Sequence, residues 1–163
     1  MAPNELLKEF YLVRMAAGDD PMEPRILGTI LDALAERCSF DAGATIFREG
    51  ETADAMYVVE IGTVEVFRTD ADPADGDTGI ATLGPGEEFG EMAFFDEGPR
   101  SATAKAGTEC SILRVPYASL REELRKRPSI AALLYRNAAA FMARRLRETS
   151  RDLAMASGRI RAH

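Results

Sequence analysis

Two short runs, Phe89-Gly90-Glu91-Met92-Ala93 and Gly98-Pro99-Arg100-Ser101-Ala102, place a glycine, a carboxylate, a guanidinium and a hydroxyl close together in the chain. Glycine lets backbone approach a ligand closely, and the residues after Gly90 favour a helix whose first N–H groups can face an anion. Glu97-Gly98-Pro99 reads as a tight turn that returns Arg100 toward that helix start, with Ser101 to Ala104 continuing as a strand. The planar fork of an arginine donates two parallel hydrogen bonds to a phosphate. A carboxylate beside a phosphate is repelled, so Glu91 must address another part of the ligand, and a sugar hydroxyl is the natural donor for it. The chemistry these residues suit is the holding of a small anionic sugar phosphate.

The elements that must position them follow from the pattern of helices, then strands, then helices. Asn4 caps a predicted helix to about Ala17, the run Gly18 to Pro24 breaks it, and helix resumes over Ile26 to Arg37 with Leu27, Ile30, Leu31 and Leu34 at helical spacing. From Ser39 to Pro116 turn signals recur at Gly43, Gly50, Gly62, Asp75-Gly76, Gly84-Pro85-Gly86, Gly98-Pro99 and Gly107. A turn roughly every 8 to 12 residues argues for a barrel or jelly roll. In Thr63 to Arg68 the valines share one strand face and Glu65 shares the other with Thr63 and Phe67. Asp70 to Asp77 lacks the spacing and closing glutamate of a calcium loop and reads as a solvated hairpin loop. After Pro116 the chain turns helical, over Tyr117 to Lys126 and again from Pro128, with Leu134, Ala138, Phe141, Leu146 and Leu153 as an intermittent apolar stripe.

FGEMA followed by PRSATA resembles the phosphate-binding cassette of the cyclic nucleotide-binding domain family, which includes catabolite activator protein, kinase regulatory subunits and cyclic-nucleotide-gated channels. FDAGATIFREGE (40–51), AMYVVEIGTVEVF (55–67) and IATLGPGEEFG (80–90) resemble that family's strands and glycine turns in order, and the likeness runs from about Pro24 to about Arg147. The resemblance implies a mainly β fold with flanking helices: an eight-stranded β-roll (a jelly-roll barrel), N-terminal helices, and C-terminal hinge and lid helices. It divides the chain into an N-terminal helix and linker over 1–23, a binding domain over 24–155 and a flexible tail over 156–163. Within the domain the β-roll is expected at about 39–116 and the C-terminal helices at about 117–155.

By the same resemblance Arg100 pairs with a cyclic phosphate and Glu91 accepts from the ribose 2′-hydroxyl. Phe89, Gly90 and the backbone amides of Met92-Ala93 and Ser101-Ala102 complete the cradle. Leu83, with Ala81, matches strand positions under the base, and Phe141 falls near the position that caps it. Both are apolar at the strand and do not discriminate bases. Relatives with serine after the arginine include cAMP binders, whereas threonine is more associated with cGMP, so the implied ligand is cAMP, with cGMP the alternative.

Composition bounds the other classes. A chain of 163 residues, 46% hydrophobic, suffices for one sizeable core. The longest apolar stretch, Ile130 to Ala143, is interrupted by Arg136 and Asn137, and the N-terminus opens on Asn4, Glu5 and Lys8 rather than a basic-then-apolar leader, so a cytoplasmic protein without a membrane segment is expected. Cys38 and Cys110 lack disulfide or metal spacing. The single histidine, His163, is the last residue, which leaves no histidine-based triad, no histidine metal centre and no cupin-type metal set. No enzyme activity and no metal are expected.

Charge separates the two ends. Residues 1–120 carry 9 basic and 23 acidic side chains, a net −14, whereas 121–163 carry 11 basic and 4 acidic, a net +7. Arg144, Arg145, Arg147 and Arg151 are what a solvated helix face looks like, and the residues after the lid helix are too few for a helix-turn-helix, so DNA binding by this chain alone is not expected. The expected output is a contact with an unidentified protein partner, by a monomer or weak homodimer. The competing reading is a scaffold of the same fold that binds no nucleotide, which a damaged cassette would signal; here Gly90, Glu91, Arg100 and Ser101 are all present.

Overall fold

A computed structural model of the chain describes residues 22–69 and 77–160. The expected helix over Asn4 to Ala17 and the tip of the Asp70 to Asp77 loop lie outside those residues. Eight strands form two four-stranded sheets: β1 (Glu36–Phe40), β8 (Cys110–Pro116), β3 (Ala55–Ile61) and β6 (Glu88–Phe89) in that order, and β2 (Thr45–Phe47), β7 (Thr103–Ala106), β4 (Val64–Thr69) and β5 (Asp77–Leu83) in the other. Every pairing is antiparallel. The result is a two-sheet jelly roll rather than a closed barrel. Helix α1 (Met22–Leu34) precedes it, α2 (Met92–Asp96) interrupts it, and α3 (Tyr117–Lys126) and α4 (Pro128–Ile160) follow.

The period-two rule explains how one strand can serve two cores. In β3, Ala55, Tyr57 and Val59 face into the space between the sheets, while Met56 and Val58 pack toward the helices with Leu27, Leu31, Leu120 and Leu134. Strand β8 does the same with Ile112 on one side and Leu113 and Val115 on the other. Burial on both faces accounts for the nearly unbroken apolar run of β3, which carries no alternation. In β4 the expected alternation holds. Val64 is buried between the sheets, and Phe67 shares the Glu65 face, where Lys105 Nζ lies 4.9 Å from its ring centroid.

Four boundaries differ from those read in the sequence. Helix α1 begins at Met22, inside the run Gly18 to Pro24 expected to break it, because a proline in the first turn removes no intrahelical bond. Helix α1 ends at Leu34, not Arg37, because Glu36 and Arg37 are taken up by β1 opposite Arg114 and Leu113. Their partners explain it: Arg114 pairs with Glu36 at 2.8 Å and Arg37 with Glu60 at 2.6 Å, long-range contacts that leave no trace in local sequence. Ser101 and Ala102 form a bend, and the strand expected from Ser101 begins only at Thr103. Helix α4 continues to Ile160, into the stretch expected as a tail from residue 156. Its 33 residues give it a length of roughly 50 Å at 1.5 Å per residue. Pro128 opens it, as a residue without an N–H is suited to do.

Candidate nucleotide-binding site

A cavity of about 170 Å³ lies between the second sheet and the segment from β6 through α2 to Ala102. Leu83, Phe89, Gly90, Glu91, Met92, Ala93, Arg100, Ser101 and Ala102 all line it, so nine of the ten residues singled out in the sequence meet at one place. The tenth, Phe141, lies on α4, and its side chain is outside the described residues. Leu83 and Ala81 of β5 form an apolar floor with Phe47 and Val66, while Met92 and Ser101 stand exposed at the rim. Ala93 and Ala102 are buried and small, which keeps the walls apart.

Arg100 is 3% exposed although it is charged. Its backbone is pinned to the β2–β3 loop by two bonds, the Gly50 amide donating to its carbonyl at 2.8 Å and its own amide donating to the Glu51 carbonyl at 2.9 Å. Its Nη1 donates to the carbonyls of Ala55 at 2.8 Å and Gly90 at 3.1 Å, and its Nη2 lies 3.5 Å from an Asp54 carboxylate oxygen. The guanidinium stacks over Phe47, 4.1 Å from the ring centroid. Its Nε is buried and has no hydrogen-bond partner. An unmatched buried donor of this kind costs stability unless something in the cavity accepts from it.

Gly90 explains why this packing requires glycine. Its φ is +72°, and a Cβ there would stand 2.7 Å from Arg100 Nη1. The Gly90 carbonyl accepts from Arg100 and also from the Tyr117 hydroxyl, which ties the start of α2 to the start of α3. Burial pushes the Tyr117 hydroxyl up to about 12, with Arg100 opposing the shift and Glu91 adding to it, so Tyr117 remains a donor at neutral pH. Glu91 occupies the position before α2, half-buried, and its side chain accepts no capping hydrogen bond from the helix N–H groups. Glu91 is part of the cavity wall.

The remaining partners of Arg100 were not evident in the sequence. Asp54 bridges two guanidiniums, with Arg114 Nη2 at 2.6 Å, and Arg114 in turn reaches Glu36. Burial works against the charge on Arg114, yet the bonds to Asp54 and Glu36 hold its pKa above the usual arginine value. Phe47 and Val66 carried only the ordinary signal of strand residues facing inward. Behind α2, Phe94 meets Tyr117 edge-on at 5.3 Å and Tyr135 stacks at 6.5 Å, while Arg121 lies 5.1 Å over the Phe94 ring. One side of α2 thus faces the cavity and the other faces α3 and α4. Among the described residues no group of His, Cys, Asp or Glu is arranged to hold a metal ion, and no helix is long and apolar enough to cross a membrane.

A jelly roll thus gathers a buried arginine, a glycine-led short helix and an apolar floor around one cavity. The sequence model of the cyclic nucleotide-binding domain matches residues 37–127, and the chain belongs to that family. It is 34% identical over 134 residues to the CRP-like cAMP-activated global transcriptional regulator of Mycobacterium tuberculosis, covering 82% of this chain and 56% of that one. It is 38% identical over 122 residues to the cyclic AMP receptor protein of Thermus thermophilus, covering 75% and 54%. The chain therefore spans just over half the length of these relatives. Among solved structures, the N-terminal domain of a transcriptional regulator from Streptomyces coelicolor superimposes with a TM-score of 0.68 at 35% identity, over 88% of this chain and 94% of that one.

Proposed function

We propose that this chain is a cyclic nucleotide receptor module, selective for cAMP over cGMP, that signals by moving its C-terminal helices. Arg100 holds the cyclic phosphate and Glu91 accepts from the ribose 2′-hydroxyl. Backbone N–H groups at Met92-Ala93 and Ser101-Ala102 close the cradle, Leu83 and Ala81 support the base, and Phe141 caps it. The observation that carries this reading is Arg100, which lines the cavity with a buried guanidinium fixed at its backbone, stacked on Phe47 and carrying a buried Nε that has no hydrogen-bond partner. The names of the M. tuberculosis and T. thermophilus relatives, both tied to cAMP, support the choice of ligand.

The contacts behind α2 give the signal a route. Ligand that draws Arg100 and α2 inward bears on the Gly90 carbonyl, which Tyr117 of α3 holds, and on Phe94, against which Tyr117 and Tyr135 pack. The output is a changed contact between the C-terminal helices and a protein partner in the cytoplasm, without DNA binding by this chain alone or any catalysis, and in a monomer or weak homodimer. Calorimetric titration with cAMP, cGMP and 5′-AMP tests the reading. Tight binding of cAMP over 5′-AMP is the expected result, and heat from none of the three would hand the function to the scaffold reading. Amide exchange across 117–155 that is identical with and without cAMP would remove the signalling half.

A further inference from the structure

Met92 is the first residue of α2, lines the cavity and is 47% exposed. Its sulfur sits at the rim, where the Ser101 hydroxyl donates to Sδ at 3.7 Å. Two other described methionines differ from it: Met56 is wholly buried, and Met142, 37% exposed on α4, is not part of the cavity wall. We propose that Met92 is an oxidation site through which a peroxide lowers the affinity of the cavity for its ligand. This rests on the reading that the cavity takes a cyclic nucleotide.

The chemistry is a two-electron oxygen transfer. A sulfur lone pair of Met92 attacks one oxygen of hydrogen peroxide, the O–O bond breaks, and the sulfide becomes a sulfoxide while the peroxide is reduced to water. A thioether is a weak acceptor, so Ser101 keeps its hydroxyl largely available to a phosphate. A sulfoxide oxygen is a strong, partly negative acceptor. Placed beside Ser101 it captures that hydroxyl, and it sets negative charge density at the rim through which an anion must pass toward Arg100. The polar group also makes the first turn of α2 bulkier where Met92-Ala93 is meant to approach the phosphate. A loss of about tenfold or more in affinity follows, the scale of one hydrogen bond to a charged group.

The test treats the purified protein with hydrogen peroxide, maps sulfoxides by peptide mass spectrometry and titrates with cAMP before and after. Oxidation at Met92 accompanied by that loss, and its reversal by methionine sulfoxide reductases, is the expected result. In Met142→Leu the loss persists in full. In Met92→Leu, whatever its starting affinity, the values before and after peroxide coincide. Affinity that survives complete oxidation of Met92, a loss that persists in Met92→Leu, or oxidation of Met142 with Met92 untouched each overturns the inference while leaving the receptor reading in place. Failure of the untreated protein to bind cAMP or cGMP overturns both.

Discussion

The segment around residues 89–102 and the outer half of α4 both present arginines, yet the two regions put them to opposite use. Arg100 is buried, stacked on an aromatic ring and bonded to two carbonyls, whereas Arg144, Arg147 and Arg151 stand exposed on a helix whose buried apolar side chains, among the described residues, end at Ala138. Residue type is the same, and environment decides the role. A guanidinium fixed in a cavity wall is held in one orientation by its packing and bonds. Arginines along a solvated helix contribute a field at the surface, screened by salt within about 8 Å at physiological ionic strength.

The sharpest way to break this comparison is to remove one arginine from each region. Arg100→Ala should weaken cAMP binding by ~2 to 5 kcal/mol, roughly thirtyfold to several thousandfold in Kd by calorimetry, while Arg147→Ala leaves Kd unchanged. Near-normal affinity in Arg100→Ala would dissolve the distinction. Within α4 itself, Leu134→Ala should cost about 2 to 5 kcal/mol in urea denaturation because Leu134 is fully buried. Leu146→Ala, at a position 69% exposed, should fall within about 0.5 kcal/mol of the parent. Equal costs at the two sites would mean that the outer half is packed after all.

Gly90→Ala tests whether the buried arginine depends on its neighbour's missing side chain. A positive φ and a Cβ 2.7 Å from Arg100 Nη1 should together cost ~1 to 3 kcal/mol of stability and weaken ligand binding as well. The smallest effect is expected at Arg37, half exposed and intermediate between the two regions. Its hydrogen bond holds the Glu60 carboxyl below the usual value of 4.5. The unfolded chain therefore takes up the proton first on acidification, so this contribution is complete above the unfolded pKa and disappears as pH falls through the folded one. Glu60→Gln should lower stability where the carboxylate is ionised and converge on the parent as pH falls through the folded pKa, which flattens the acid side of the profile, as thermal melts across pH would read.

How much was legible depended on distance along the chain. Gly90, Glu91, Arg100 and Ser101 lie in one continuous segment, and the turn at Gly98-Pro99 is written in the residues that make it, so their convergence could be read directly. A barrel or jelly roll was legible from the glycine rhythm and the strand texture, whereas the choice of two separate sheets over a closed barrel was not. Asp54, Phe47 and Tyr117 were not, because each reaches the arginine only through strand pairing and helix docking across long stretches of chain. The same cause moved the end of α1, since Glu36 and Arg37 favour helix by local propensity but are claimed by partners on β8 and β3. Leu146 was read as part of an apolar stripe, and periodicity alone does not tell a stripe that is covered from one that is exposed.

The double tether of Arg100 to the β2–β3 loop makes the residue its own spectroscopic control. Its amide proton, bonded to the Glu51 carbonyl, belongs to the scaffold and should exchange slowly whether or not ligand is present. Its Nε proton, without a partner, should exchange faster and move downfield once a phosphate oxygen accepts from it. Two resonances of a single side chain and its own backbone would then report occupancy of the cavity and integrity of its frame separately, with no label introduced into the protein.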